Sequence, residues 1–461
     1  MRVRFGMAAG LATGLTFWAA GAGGGDVMMR PDDDLLSGKM RVKKALALGR
    51  AWAGHPVGFA FETRGDDQYV GWYNENREMI FAQRKLGDDK WTLQSLGTRL
   101  EWDSHNSIAL AFDRRGVLHV AGNMQCRPLL YWRSERPGDI ASLTPVGNMV
   151  GRDEGQCTYP IFFAGVGGRL HFLYRDGTSG DGSWLVNAYD EERRAWTRLL
   201  SEPLFSARLG DLSVCAYPIG MGAGPDGVFH LFWVWRNSPD CASNHDLSYA
   251  RSDDLIHWTD SAGRALALPI TVESGEAIDP APPGGGLLNG NERLGFDAQG
   301  RPVVTYHKYD AAGDLQVYAA RRETDGWKIR QLSDWKGYRW DFHGGGSIVA
   351  EVHVGEVRAA GAGRLALDYR YGRGAGTWVL DEATLRPIPG AVAPASPARP
   401  AAARKLESKF PGMRQQTRAD VGDAGPGVRY SLEWETLEAN RDRPRDPPWP
   451  EPSMLRVIGE S

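Results

Sequence analysis

The sequence predicts an all-β chain, a β-propeller of seven blades with six as the alternative, forming a single catalytic domain. Two observations lead there. The first is composition: 58 glycines and 17 tryptophans in 461 residues, against a usual glycine share of ~7%. Frequent glycine turns with many aromatics suit short strands better than helices. The second is recurrence. A glycine turn followed by alternating apolar and polar residues returns as Asp113-Arg-Arg-Gly-Val-Leu-His-Val120, Gly167-Gly-Arg-Leu-His-Phe172, Pro225-Asp-Gly-Val-Phe-His-Leu-Phe232 and Asp297-Ala-Gln-Gly-Arg-Pro-Val-Val304. Trp91, Trp132, Trp196, Trp258, Trp327 and Trp378 mark later strands of such units, at intervals of roughly 40 to 70 residues, the length of a small sheet plus loops. Ser252-Asp-Asp-Leu-Ile-His-Trp258 has the form of an Asp-box, a turn between outer strands.

The elements divide as follows. Residues 1–22 read as a signal peptide: Arg2 and Arg4, an apolar stretch from Phe5 to Ala20, then Ala20-Gly21-Ala22. About 16 apolar residues fall short of the ~20 that span a bilayer, so export to the periplasm or medium is expected, without a membrane span. Residues 23–389 carry the repeats. Residues 390–404 form an Ala/Pro-rich linker. Residues 405–461, where Val428–Leu437 alternates again, return to close the propeller.

Fifty-four basic and 57 acidic side chains leave a net charge of −3, which gives no global basic field for nucleic acid. A ligand is expected at the mouth of the channel, on a monomer. Candidate chemistry sits in four segments: His105 in Trp102-Asp-Ser-His-Asn, the amide-rich strand end Asn123-Met-Gln125, Tyr159 with Arg175 beside the glycine-rich loop 177–182, and Tyr217. Tyr159-Pro-Ile and Tyr217-Pro-Ile repeat one pattern, which would aim two phenols at one mouth. An imidazole, two phenols and a guanidinium suit abstraction of a carbon-bound proton beside a carboxylate. The enolate-like intermediate needs a cation, which Arg supplies at any pH, and His and Tyr serve as base and acid. Hydrolysis would instead use a carboxylate pair. His307, with Lys308 and Tyr309, either lines the channel as an anion site or ends a solvated strand. Cys215 and Cys241 admit a disulfide or a metal.

Asp103-Ser-His-Asn-Ser-Ile-Ala-Leu, Leu118-His-Val-Ala-Gly-Asn-Met, Thr158-Tyr-Pro, Tyr174-Arg-Asp-Gly-Thr-Ser-Gly, Asn244-His-Asp-Leu-Ser-Tyr-Ala-Arg-Ser and Asn440-Arg-Asp-Arg-Pro-Arg resemble the BNR-4 repeat proteins, a group that includes seven-bladed ulvan lyases. The resemblance implies β-elimination in a uronate-containing, sulfated polysaccharide. By the resemblance, His105 and Tyr159 would be base and acid, in either order, and Arg175 would face the carboxylate, with Tyr217 as a further site tyrosine; Gln125, Asn123 and His307 are the other candidate substrate contacts read from the residues themselves. Those lyases carry a second active-site histidine where this strand runs to Gln125. The resemblance also implies a structural zinc, for which the candidates are Cys215, Cys241 and His245, with His230 as a fourth. Two other readings remain at this stage: a carbohydrate-binding propeller without catalysis, which Gln125 favours, and a sialidase-type glycosidase, which the Asp-box suggests.

Overall fold

The computed structural model describes residues 42–393, 405–425 and 427–460. The expected signal peptide, 1–22, and all but the first four residues of the expected linker lie outside them. The described chain is all-β, its helix limited to the 3₁₀ turns Ile140–Ser142, Val166–Gly168 and Cys241–Ser243. No helix among the described residues is long and apolar enough to cross a membrane.

Sheets follow one another along the chain, mostly as four antiparallel strands in sequence order. Ala60–Arg64, Asp67–Tyr73, Glu78–Lys85 and Thr92–Arg99 make one. Ile108–Phe112, Leu118–Gly122, Tyr131–Ser134 and Leu143–Val146 make the next. Cys157–Ala164, Leu170–Thr178, Asp181–Asp190 and Ala195–Arg198 follow, with the short strand Gln125–Arg127 added beside Cys157–Ala164. One parallel pairing, Gly182 with Cys215, joins this sheet to Cys215–Ile219, Phe229–Arg236 and Asn244–Ser252. Arg293–Phe296 through Gly326–Gln331 form a further sheet, and Arg364–Tyr371 centres the one after it. The last combines both ends of the described chain: Met413–Ala419, Arg429–Leu437 and Ser453–Glu460 are completed by Val42–Ala51.

The strand patterns account for this layering. The middle strand Phe229–Arg236 is buried throughout, as its apolar run Leu231-Phe-Trp-Val-Trp235 requires when both faces are covered. The outer strand Thr92–Arg99 buries only Leu96. The turns are equally local. In Asp113-Arg-Arg-Gly116, Asp260-Ser-Ala-Gly263, Asp297-Ala-Gln-Gly300 and Asp310-Ala-Ala-Gly313 the Asp Oδ1 accepts the backbone N–H groups two and four residues on. The glycine takes φ of +79°, +83°, +76° and +85°, a left-handed conformation that costs glycine little.

The Asp-box forms as read. Asp254 Oδ1 accepts from Ile256 and His257, at 2.8 and 2.7 Å, and Ser252 Oγ accepts from Leu255. Burial opposes ionisation of Asp254, but these donors outweigh it and hold its pKa near 2. The turn seats Trp258, 2% exposed, in the largest apolar cluster with Trp233, Phe232 and Leu255. Trp258→Ala is expected to cost about 3–5 kcal/mol of folding stability, read as a lower urea midpoint at unchanged slope.

Candidate active site

His105 lies in the loop before Ile108–Phe112. Asp103 Oδ1 accepts from the His105 backbone N–H at 2.8 Å and meets the ring Nδ1 at 2.6 Å. On the other side, Asp442 Oδ2 lies 3.4 Å from Nδ1. Asp442 also accepts from the Ser104 and Ser347 N–H groups, so the C-terminal segment ties this loop in place. Both carboxylates address Nδ1, which leaves Nε2 for a ligand. Burial alone would lower the histidine pKa. The hydrogen bonds to Asp103 and Asp442 outweigh that and hold it at about 9, while the His105 charge keeps Asp442 well below the usual carboxylate range despite its burial.

The second group comes from Cys157–Ala164. Its pairing with Leu170–Thr178 slips between Thr158 and Ile161, and Tyr159 sits in that bulge at φ +57°. A bulky residue in the left-handed region is strained, and bulges of this kind re-aim a side chain. Here the Tyr159 ring meets the His105 ring edge-on at 5.6 Å, stacks on Trp184 at 5.8 Å and meets Tyr217 at 6.1 Å. Burial pushes the Tyr159 phenol well above its ordinary pKa; Tyr217 adds to this and Arg175 opposes it.

Arg175 lies behind the phenols. Its guanidinium is 4.9 Å from the Tyr159 ring centre and donates to Thr158 Oγ1 at 3.1 Å and, weakly, to Tyr217 Oη at 3.5 Å. Cys126 Sγ lies 3.5 Å from Nη2. A Cβ on Gly182 would stand 2.6 Å from Arg175 Cδ, so that glycine makes room for the side chain. Arg175 is 0% exposed, and among the described residues no carboxylate lies within ion-pairing distance of it. The structure therefore brings His105, Tyr159, Arg175 and Tyr217 together as one stack. The guanidinium forms its floor, where the sequence reading put it in direct reach of a carboxylate.

The other expected contacts are distributed differently. Gln125 pairs across from Thr158, beside the stack, and its buried Oε1 has no hydrogen-bond partner. The Asn123 amide is spent on Thr98 Oγ1 and the Arg99 carbonyl. His307 is 1% exposed, held by the Gly286 carbonyl among Trp340 and Phe342. Burial lowers its pKa to about 4, so it is a neutral side chain rather than an anion-binding cation, and among the described residues no hydrogen bond or ring contact joins it to His105, Tyr159, Arg175 or Tyr217.

The four residues expected to hold zinc do not converge. All four cysteines are free, so the alternative Cys215–Cys241 disulfide is not formed. Cys215 packs in the cluster of Trp184 and Tyr217, Cys241 in a separate one with Leu288 and Trp340. Both nitrogens of His245 are engaged, by Asp246 and Asn237. His230 lies between Tyr249 Oη and Asp226, as His119 lies between Tyr131 Oη and Asp113. It is a repeat-position residue rather than a ligand, and the donor set does not fit zinc. Among the described residues the one convergent group of His, Cys, Asp and Glu ligand atoms is Asp103, His105 and Asp442.

Asp442 is not among the site residues that the sequence predicts, although it lies in the motif Asn440-Arg-Asp-Arg-Pro-Arg. Asp103 enters the sequence reading only as part of the His105 motif. The signal for Asp103 is local: an Asp two residues before a His can cap that residue's own N–H.

Residues 67–335 match the family model described as BNR repeat-containing family member. No curated protein matches the chain. Among solved structures, the crystal structure of polysaccharide lyase Uly1 aligns with 91% of this chain and 99% of its own at 12% identity, TM-score 0.61. A PL25 ulvan lyase aligns over 90% and 95% at 14% identity, TM-score 0.59, both alone and bound to -[GlcA(1-4)Rha3S]-. At such identities the likeness is one of fold. With the family model covering more than half of the sequence, this chain belongs to the BNR repeat-containing family.

Proposed function

We propose that the protein is an exported polysaccharide lyase that cleaves a sulfated, uronate-containing polymer of the ulvan type by β-elimination, on a seven-bladed propeller. The seven blades are the consecutive sheets, the last completed by Val42–Ala51. The observation that carries the catalytic reading is the stack itself: an imidazole edge-on to a phenol, over a buried cation that pairs with no carboxylate among the described residues.

The roles follow from proton affinities. The Tyr159 phenol keeps its proton at any ordinary pH, so it is the acid. His105 Nε2, once neutral, is the base. Nε2 takes the proton from C5 of the uronate. The C5–H electrons form the double bond to C4 as the C4–O4 bond breaks, and Tyr159 gives its proton to the departing oxygen. Asp103 and Asp442 fix the ring through Nδ1. Arg175 acts from beneath: a carboxylate about 6 Å away still gains roughly 3 kcal/mol at an effective dielectric constant of about 20. Gln125 offers a neutral hydrogen bond beside it.

Incubation with glucuronate polymers is expected to release an unsaturated uronate, seen as a rise in ultraviolet absorbance. Gln125 and the full burial of Arg175 favour a second reading, a binding propeller without catalysis. That reading predicts retention on the polymer with no absorbance rise after long incubation.

A further inference from the structure

Three indoles gather beside the His105 loop. Trp52, Trp102 and Trp449 meet edge-on with ring centres 5.4 to 5.8 Å apart. The Arg77 guanidinium lies 4.8 Å from the Trp52 ring and 5.5 Å from each of the others. Trp52 is the buried base, 5% exposed and bonded through Nε1 to His55. Trp102 and Arg77 are half-buried, and Trp449 is 39% exposed. The backbone carbonyl of Arg445 orients Trp449 by accepting from its Nε1 at 2.8 Å.

Two features separate this group from ordinary core packing. Arg77 makes no ion pair among the described residues: Glu101, whose charge reaches it, is paired with Arg127, and the ring contacts leave its N–H groups open to an anion. The platform is also continuous with the active site. Trp102 precedes Asp103, and Trp449 follows Asp442 in the same C-terminal segment. The His55 ring lies 5.5 Å from Trp102 and feels the charges of both Asp442 and Asp103. The two segments that grip His105 are therefore the two that present Trp102 and Trp449.

We propose that Trp102, Trp449 and Arg77 form a sugar subsite next to the one that holds the reacting uronate. The indoles take the apolar face of the adjoining ring and Arg77 takes its sulfate ester. This rests on the lyase reading, because in an alternating sulfated polymer the neighbour of each uronate is the sulfated sugar. The subsite explains how a chain whose central cation is buried still gains charge selectivity: the half-buried Arg77 guanidinium stands with the indoles that flank the His105 loop.

The test uses the full protein, ulvan, and chemically desulfated ulvan. Trp449→Ala is expected to raise KM about tenfold with kcat within about twofold, the signature of lost uniform binding, and Trp449→Phe to recover most of it. Arg77→Gln should raise KM on ulvan but not on the desulfated polymer. Unchanged KM in both variants, with cleavage intact and near-ultraviolet circular dichroism native, overturns the subsite and leaves the lyase reading standing. If the wild type cleaves nothing, fluorescence titration with intact ulvan decides. Affinity lost in Trp449→Ala keeps the subsite while the lyase reading falls; affinity equal to wild type, or no binding by either protein, overturns it.

Discussion

His105→Gln is expected to slow cleavage by about 10²–10⁴-fold, the range for removal of a general base, while the fold survives. The pH dependence is the sharper signature. With the histidine pKa held at about 9, the ring is protonated at neutral pH and cannot accept the C5 proton. The wild-type rate should therefore climb from neutrality toward pH 9. If His105 were the acid, the rate would instead fall above that pH. Asp442→Asn removes one of the partners that raise this pKa, so the rising limb should move to lower pH. The same proton links to stability. The folded-state pKa lies above the unfolded value of ~6.5, so the stabilisation is fully present below that pH and fades as pH rises through 9. Denaturant midpoints should fall across this window in the wild type and not in His105→Gln.

Arg175→Met is expected to cut kcat by about 10²–10³-fold without a matching loss of stability. A buried cation with no carboxylate partner is costly to fold, and an apolar replacement of similar volume is often neutral or stabilising. A thermal midpoint equal to or above the wild-type value, together with lost turnover, would mark a residue kept for chemistry. Arg175→Lys should not rescue, because one ammonium cannot reproduce the planar contact with Tyr159 and the bond to Thr158. A variant as active as the wild type would remove the guanidinium from the account.

The features read correctly from sequence are those set by short-range chemistry. The Asp-x-x-Gly turns are visible because one carboxylate caps its own turn, and the Asp-box because Ser252, Asp254 and Trp258 lie within seven residues. The pairing of Tyr159 with Tyr217 was visible because the Tyr-Pro-Ile repeat puts both at equivalent places in adjoining sheets. Asp442 was not, because its bond to Ser104 spans 338 positions and no periodicity relates the two segments. The depth of Arg175 was hidden for a similar reason: residue type reports charge, and Gly182 and Tyr159 together decide burial. His230 was misread although the means to read it were present. It occupies the place of His119 in its own repeat, and both rings are held by a strand tyrosine and a turn aspartate.

The central claim is that His105, Tyr159 and Arg175 act on one uronate ring to eliminate rather than hydrolyse. Cleavage of ulvan in water enriched in the heavy oxygen isotope, followed by mass analysis of the fragments, tests it most directly. Elimination consumes no water, so the new chain ends should be unsaturated and carry none of the isotope. Fragments that gain one labelled oxygen at each cut would contradict it.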